Sequence, residues 1–347
     1  MNIHPNFSYN GRSMAVEEWK TLLNEMAQSS ESWEQSHARF MLNWFDSADS
    51  IEVQTSGSTG APKTMRVLKS AMAASALMTA QYFQCFENTH ALLVLPSSFI
   101  AGKMMLVRAM TQGWKLTAVE PVSQPLGHIT QAFDFAAFTP MQLSGLTEKQ
   151  LQLLSTFGTV IVGGAAIPEK VRQSLEGCSG NLYETYGMAE TLSHVAIRSI
   201  GSAEEAFKAL PGVTFTADEA GRLRIDAPHL SNETYQSRDV VRIISNTSFA
   251  YCGRYDRVIN SGGIKLFAEA IEQKISTLIE LPFYVTSHPD EALGQRVVLY
   301  VETERAMDPD EWREKLRTVL DKFEVPKEII SLKTLERTPS GKIIFNS

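Results

Sequence analysis

The chain has 347 residues, which favours two domains, and its 44% hydrophobic and 20% charged residues are those of a globular protein with an ample core. A net charge of −7 argues against a nucleic-acid scaffold, which needs a basic face, but leaves room for a local basic pocket that takes a small anion. No apolar run approaches the roughly 20 residues of a membrane span, and "MNIHPNFSYNGRSM" lacks the basic-then-apolar form of a signal peptide.

In chain order, residues 14–47 read as helical, with Trp19, Leu22, Leu23 and Met26 on one face and then Trp33, Phe40, Leu42 and Trp44. "IEVQTS" at 51–56 is a short strand running into a Gly-rich loop, followed by a strand end and a long Ala/Met-rich helix through residue 86. Strands are expected at 91–96, 115–121, 135–140 and 159–165, alternating with helices at 101–112, 147–154 and 168–176. That alternation, with near-continuous apolar strands, predicts a doubly wound α/β sheet. After about residue 210 the texture changes to short alternating strands, "GRLRIDAP", "DVVRII" and "SFAYCGR". From 257 a new αβ pattern begins, with helices expected at 268–279 and 309–322. The boundary falls at "GRYDR", giving a large N-terminal domain, 1–254, with a β-rich portion and a small α+β domain, 255–347. The tail "RTPSGKIIFNS" is polar, contains glycine and is expected to be mobile.

The three cysteines, Cys85, Cys178 and Cys252, are far apart, with no metal-ligand spacing and no disulfide framework, and the histidines form no HExxH. A sparse, odd cysteine count fits a reducing cytosol.

The first chemical signal is "TSGSTGAPKTM", 55–65. Walker A requires G-x-x-x-x-G-K-[ST]. Here Pro62 replaces the final glycine, and proline has no N–H to offer a phosphate, so a P-loop triphosphatase is disfavoured. A Ser/Gly-rich surface turn is the bland alternative. The order Thr55-Ser56-Gly57-Ser58-Thr59-Gly60-x-Pro-Lys63 is more specific than composition: hydroxyls, exposed amides and one ammonium can face the same phosphates.

This order resembles the phosphate-binding signature of the adenylate-forming superfamily, and further stretches follow in the family's order. "VIVGGAAIP" resembles its Gly-Gly-Ala turn, which implies adenine beside Gly163, Gly164 and Ala165. "NLYETYGMAET" resembles its Tyr-Gly-x-Thr-Glu motif, which implies nucleotide contacts at Thr185, Tyr186 and Gly187 and Mg²⁺ on Glu190, a hard oxygen ligand for a hard cation. Ala189 stands where the family has threonine, with Thr185 and Thr191 as neighbouring hydroxyls that partly substitute. Asp239 matches the aspartate that holds the ribose, although the usual Thr-Gly-Asp is Ser-Arg-Asp here. "YCGRYDRVINSGGIKLFAEAIE" implies a ribose or phosphate contact at Arg254, a hinge at Asp256 and a CoA-side segment at Ser261, Gly262 and Gly263. "RTPSGKIIF" implies that Lys342 bridges the acyl carboxylate and the α-phosphate. For Asp256 the plain alternative is a turn acid, and for Lys342 an exposed lysine on a frayed end.

What the resemblance implies is a two-step ligase using ATP, Mg²⁺ and coenzyme A. A carboxylate attacks the α-phosphate to give acyl-AMP and pyrophosphate, with Lys63, Glu190 and Lys342 in catalytic roles. Rotation of a mobile small domain about Asp256 then lets a thiol displace AMP. Family members are typically longer before the phosphate loop, so the N-terminal domain reads as trimmed. "LPSSFIAGKMMLVRAM" occupies the place of the acyl-pocket helix, and the pattern is most like the short bacterial o-succinylbenzoate–CoA ligases of menaquinone synthesis. Phe99 stands where many relatives have histidine. A second substrate carboxylate needs polar or cationic partners, for which Lys103, Arg108, Ser193 and His194 are the candidates. Arg108 can instead snorkel to solvent, and His194 can be a structural bystander. Two other readings stay open: adenylation of another aryl or fatty acid for CoA or a carrier protein, and a non-catalytic nucleotide-binding relative.

Overall fold

The computed structural model describes residues 3–55, 63–178, 181–202, 205–230, 233–305, 307–337 and 343–345. The N-terminal helical stretch is two helices, α1 (Val16–Met26) and α2 (Ser32–Phe45). They bury Trp19, Leu23, Phe40, Met41 and Trp44 in the main core. Helices α3 (Lys69–Phe83), α4 (Ile100–Gln112), α5 (Glu148–Leu154) and α6 (Glu169–Glu176) lie where the sequence predicts them.

Among the described residues the large sheet has twelve strands. Six run parallel, in the order Ser8–Tyr9, Lys115–Ala118, His90–Leu93, Phe135–Phe138, Thr159–Val162 and Asn181–Gly187. Their central strands are apolar on both faces, as a sheet covered by helices on both sides requires. The sheet then continues antiparallel through His194–Ser199, Phe207–Ala209, Ser248–Arg254, Tyr235–Ser245, Arg222–Asp226 and Thr214–Ala217. The β-rich portion is therefore an extension of the doubly wound sheet. Strand order reverses beside His90–Leu93, so the carboxyl edge of the parallel strands is where such a fold binds ligands.

Ser50–Thr55 and Lys63–Leu68 stand apart as an antiparallel ribbon whose last pair is Thr55 with Lys63. The large sheet ends at Arg254, a short 3₁₀ turn spans Tyr255–Arg257, and a five-stranded sheet starts at Val258. Its helices, α7 (Ala268–Ile275) and α8 (Pro309–Leu316), stop short of the predicted 279 and 322. The apolar residues beyond them, Ile279 and Leu320, still reach the core from non-helical backbone, so periodicity overstated the helices.

His37 on α2 is buried, accepts or donates a 2.9 Å hydrogen bond with the Tyr9 hydroxyl at Nδ1, and is held neutral because burial pulls its pKa from 6.5 to about 4. The unfolded chain binds that proton near the ordinary value and the folded chain only near 4. Stability is therefore expected to fall as pH drops through this window, by about 3 kcal/mol from this group. Thermal melts from pH 7 to 4.5 check it, and His37→Gln should flatten the slope.

Candidate functional site

The nucleotide-type residues collect at the carboxyl edge. Gly163 follows the strand Thr159–Val162, and a Cβ there would lie 2.1 Å from Thr185 Oγ1, so a side chain at 163 would displace the Thr185 hydroxyl from its place. The Thr185 hydroxyl donates to Val162 O at 3.2 Å. Gly164, at φ +87°, turns the chain away with open space above it.

On the next strand, the Tyr186 hydroxyl donates to Asp239 Oδ2 at 2.5 Å. The Tyr186 ring packs against Phe249 and Phe207, with centroids 5.0 and 5.7 Å away. Asp239 and Arg254 are register partners across the strands Tyr235–Ser245 and Ser248–Arg254, with Arg254 Nε 3.7 Å from Asp239 Oδ1. Arg254 also donates to Asp256 at 3.2 and 3.4 Å. Burial raises the pKa of Asp239 while Tyr186 and Arg254 oppose that rise. Arg254 in turn is raised chiefly through Asp256, against its own desolvation. The expected ribose aspartate, its basic partner and the hinge acid thus form one chain of contacts.

Glu190 follows in the turn after Gly187 and is exposed. Thr191 is fully buried, with its hydroxyl between Met188 N at 3.0 Å and Ser193 O at 2.8 Å. Neither Thr185 nor Thr191 is therefore a free hydroxyl to replace the one missing at Ala189. A carboxylate that sequence reading passed over, Glu184, is buried between Arg172 and Arg198, tying α6 to the strand that carries Tyr186.

The acyl-side candidates separate. Helix α4 passes so close to Pro96 that a Cβ on Gly102 would sit 2.4 Å from the Pro96 carbonyl oxygen. Arg108 is 2% exposed, so it does not snorkel. Its Nη2 donates to Ser193 Oγ at 2.6 Å, Nη1 lies 3.7 Å from Met105 Sδ, and Nε is buried with no hydrogen-bond partner. His194 Nδ1 is 3.2 Å from the same Ser193 hydroxyl, and Nε2 is 3.5 Å from Thr79 Oγ1. Burial, then the nearby Arg108, holds His194 well below its usual range, so its ring is neutral. Burial alone pulls Arg108 down to about 9, which leaves it charged at neutral pH, with no carboxylate partner among the described residues. Lys103 does not join them. Five residues along a helix is a turn of about 140°, and Lys103 instead lines a cleft of about 250 Å³ with Ser36, Arg39, Glu52 and Ser97. Phe99, 56% exposed, is the extended residue that precedes α4.

The AMP-binding enzyme family pattern matches residues 13–221, and the AMP-binding enzyme C-terminal domain pattern matches residues 283–342. This chain belongs to the AMP-binding enzyme family. It is 35% identical to a solved acyl-CoA synthetase (AMP-forming)/AMP-acid ligase II-like protein of Dyadobacter fermentans, covering 93% of this chain and 95% of that one at a TM-score of 0.62. A 2-succinylbenzoate–CoA ligase of Listeria monocytogenes is 24% identical over 334 residues, which cover 87% of this chain and 70% of the relative. The o-succinylbenzoate–CoA synthetase of Bacillus subtilis, solved with its acyl-adenylate intermediate, is 18% identical and shares the fold, with a TM-score of 0.73 over 84% of this chain and 67% of that one.

Other expected sites of this AMP-binding enzyme lie elsewhere. Ser261, Gly262 and Gly263 form a hairpin turn of the small sheet, where Gly262 N donates to Leu293 O at 2.8 Å. They do not join the Tyr186–Asp239 cluster. Ser56, Gly57, Ser58, Thr59, Gly60 and Lys342 lie outside the described residues, as do the side chains of Thr55 and Lys63. No helix among the described residues is long and apolar enough to cross a membrane.

Proposed function

We propose that this AMP-binding enzyme joins an aryl acid bearing a second carboxylate, o-succinylbenzoate, to coenzyme A through acyl-AMP, in the cytoplasm and as a step toward menaquinone. The observation that carries the reading is Arg108, a buried cation held by Ser193 beside a neutral His194, with no acid to balance it among the described residues. Burying an unpaired charge costs several kcal/mol, about the amount that pairing with a ligand carboxylate would recover. A fatty acid offers no such partner. The relatives named for succinylbenzoate support the same choice.

Within the reaction, Asp239 Oδ1 faces Arg254 and has the acceptor capacity to take ribose hydroxyls, while Tyr186 holds the other carboxylate oxygen in place. Gly164, with open space above it, leaves a backbone edge against which a flat base can lie, and Gly163 beside it is backed by the Thr185 hydroxyl. The exposed Glu190 carboxylate suits a hard cation, so the residues present fit Mg²⁺. Bound there, Mg²⁺ would offset phosphate charge as the two anions approach. Lys63 would meet the β- and γ-phosphates, and Lys342 the reacting carboxylate and α-phosphate. For the second half-reaction, the small domain, 255–347, turns about Asp256 and brings the turn at Ser261, Gly262 and Gly263 to the thiol.

Acid-dependent ATP–pyrophosphate exchange across a panel of acids, followed by product mass with CoA, tests this. Exchange with o-succinylbenzoate and a new CoA thioester is the expected result. Strong exchange with a long-chain fatty acid and none with o-succinylbenzoate overturns the substrate. No exchange with any acid points to a nucleotide-binding relative without catalysis.

A further inference from the structure

The cleft beside Lys103 takes no part in the proposed ligase chemistry. It lies between α2, the strand Ser50–Thr55 and the start of α4, and its volume of about 250 Å³ suits a small group rather than a nucleotide. Two cations open onto it, Arg39 from α2 and Lys103 from the first turn of α4. Arg39 Nη2 meets its helix neighbour Gln35 at 3.4 Å, and among the described residues neither cation has an acid within ion-pair reach. Glu52 is the acid on the lining, and its cross-strand neighbour is Arg66.

Lys103 stands where a cation is costly. It is partly buried, which lowers its pKa, and it adds its charge to the positive end of α4, whose first turn holds no acid. Next to it, Ser36 Oγ and Ser97 Oγ are 2.7 Å apart. One of their two protons lies between the oxygens, and the other has no acceptor among the described residues. Ser97 is buried and both residues line the cleft, so that proton is available there.

We propose that this cleft is a second anion site, separate from Arg108, that takes a phosphate group. Lys103 and Arg39 supply the charge, and the Ser36–Ser97 pair gives one hydrogen bond. An ammonium, a guanidinium and a hydroxyl proton are donors of three kinds around one space, which suits the several acceptor oxygens of a phosphate better than the two of a carboxylate. The site stands whether or not the chain is a ligase.

The test titrates inorganic phosphate into the full chain by calorimetry, with thermal melts as the second readout. Phosphate should raise the melting temperature of the wild type, since a ligand of the folded state stabilises it. Lys103→Met should bind at least about tenfold more weakly and lose that rise, whereas Lys103→Arg, which keeps the charge, should retain both. Ser97→Ala and the surface change Arg39→Gln should each weaken binding about fivefold, and they carry the comparison should Lys103→Met fail to fold. Lys63→Met, in the phosphate loop, should leave the affinity unchanged. Binding that survives Lys103→Met and is lost in Lys63→Met belongs to the phosphate loop and overturns the proposal, as does a wild type that binds no phosphate at millimolar concentration. Competition by CoA but not by dephospho-CoA assigns the site to the coenzyme's 3′-phosphate, and competition by both to its diphosphate. Competition by neither leaves free phosphate as the occupant.

Discussion

Replacing Arg108 with Met is expected to raise the KM for o-succinylbenzoate about a hundredfold while leaving the KM for ATP nearly unchanged. A buried charge pair broken on one side costs about 3–5 kcal/mol, and part of that returns because water or Ser193 can meet the stranded carboxylate. The same substitution is expected to stabilise the ligand-free protein by about 2 kcal/mol. Arg108 has a buried Nε without a partner and no carboxylate beside it among the described residues, so an apolar side chain of similar length relieves a desolvation cost. Opposite signs on stability and substrate binding mark a cation kept for a ligand. Arg108→Lys should retain the charge but lose the fork that meets both Ser193 and a carboxylate, giving an intermediate KM. Steady-state kinetics with thermal melts, with and without the acid, check all three. A KM unaffected by Arg108→Met would remove this residue from the acyl pocket.

Replacing Lys342 with Ala is expected to lower adenylation at least a hundredfold and to spare thioester formation from supplied acyl-AMP. The first half-reaction brings a carboxylate against a phosphate, and a positioned cation at that point is worth about 3–4 kcal/mol where charge develops. In the second half the thiol attacks an acyl carbon rather than a phosphate, and the proposed rotation of the small domain would take the lysine away. Pyrophosphate exchange reads the first step, and CoA consumption with synthetic acyl-AMP reads the second. An equal loss in both would mean that Lys342 stays at the site throughout, and the hinge at Asp256 would have no separate role.

The alternation of apolar strands and helices through residue 176 was plain in the sequence because the central strands Phe135–Phe138 and Thr159–Val162 are buried on both faces and a helix end such as that of α4 is marked by Gly113. Tyr186, Asp239, Arg254 and Asp256 were also legible, since short ordered motifs carry them, and the structure gathers them by strand register. Long-range partnerships were not. Arg108 and Ser193 are 85 residues apart, and nothing in the spacing says that their side chains meet. Lys103 looked equivalent to Arg108 until helical rotation turned it to another cleft. Glu184 read as one more polar residue in a strand, although two arginines from different elements close on it. Composition marked the tail as loose, whereas its last described residue stacks on Arg257. Charge and polarity describe a segment alone, and these contacts belong to pairs of segments.

Asp239 and Arg254 face each other across one rung of a hairpin, whose ladder shifts between Val240 and Val241 and again between Ile243 and Ser245. Alternate residues on a strand point to opposite sides. One residue inserted between Arg254 and the nearer irregularity would therefore send the guanidinium through the sheet and leave its carboxylate mate behind. Lengthening that keeps both side chains on their present sides belongs at the bend of Asn246 and Thr247, beyond the last paired rung, and has to preserve the hydrogen bonds that Phe215 N and Ala209 N donate to the carbonyls of Asn246 and Thr247.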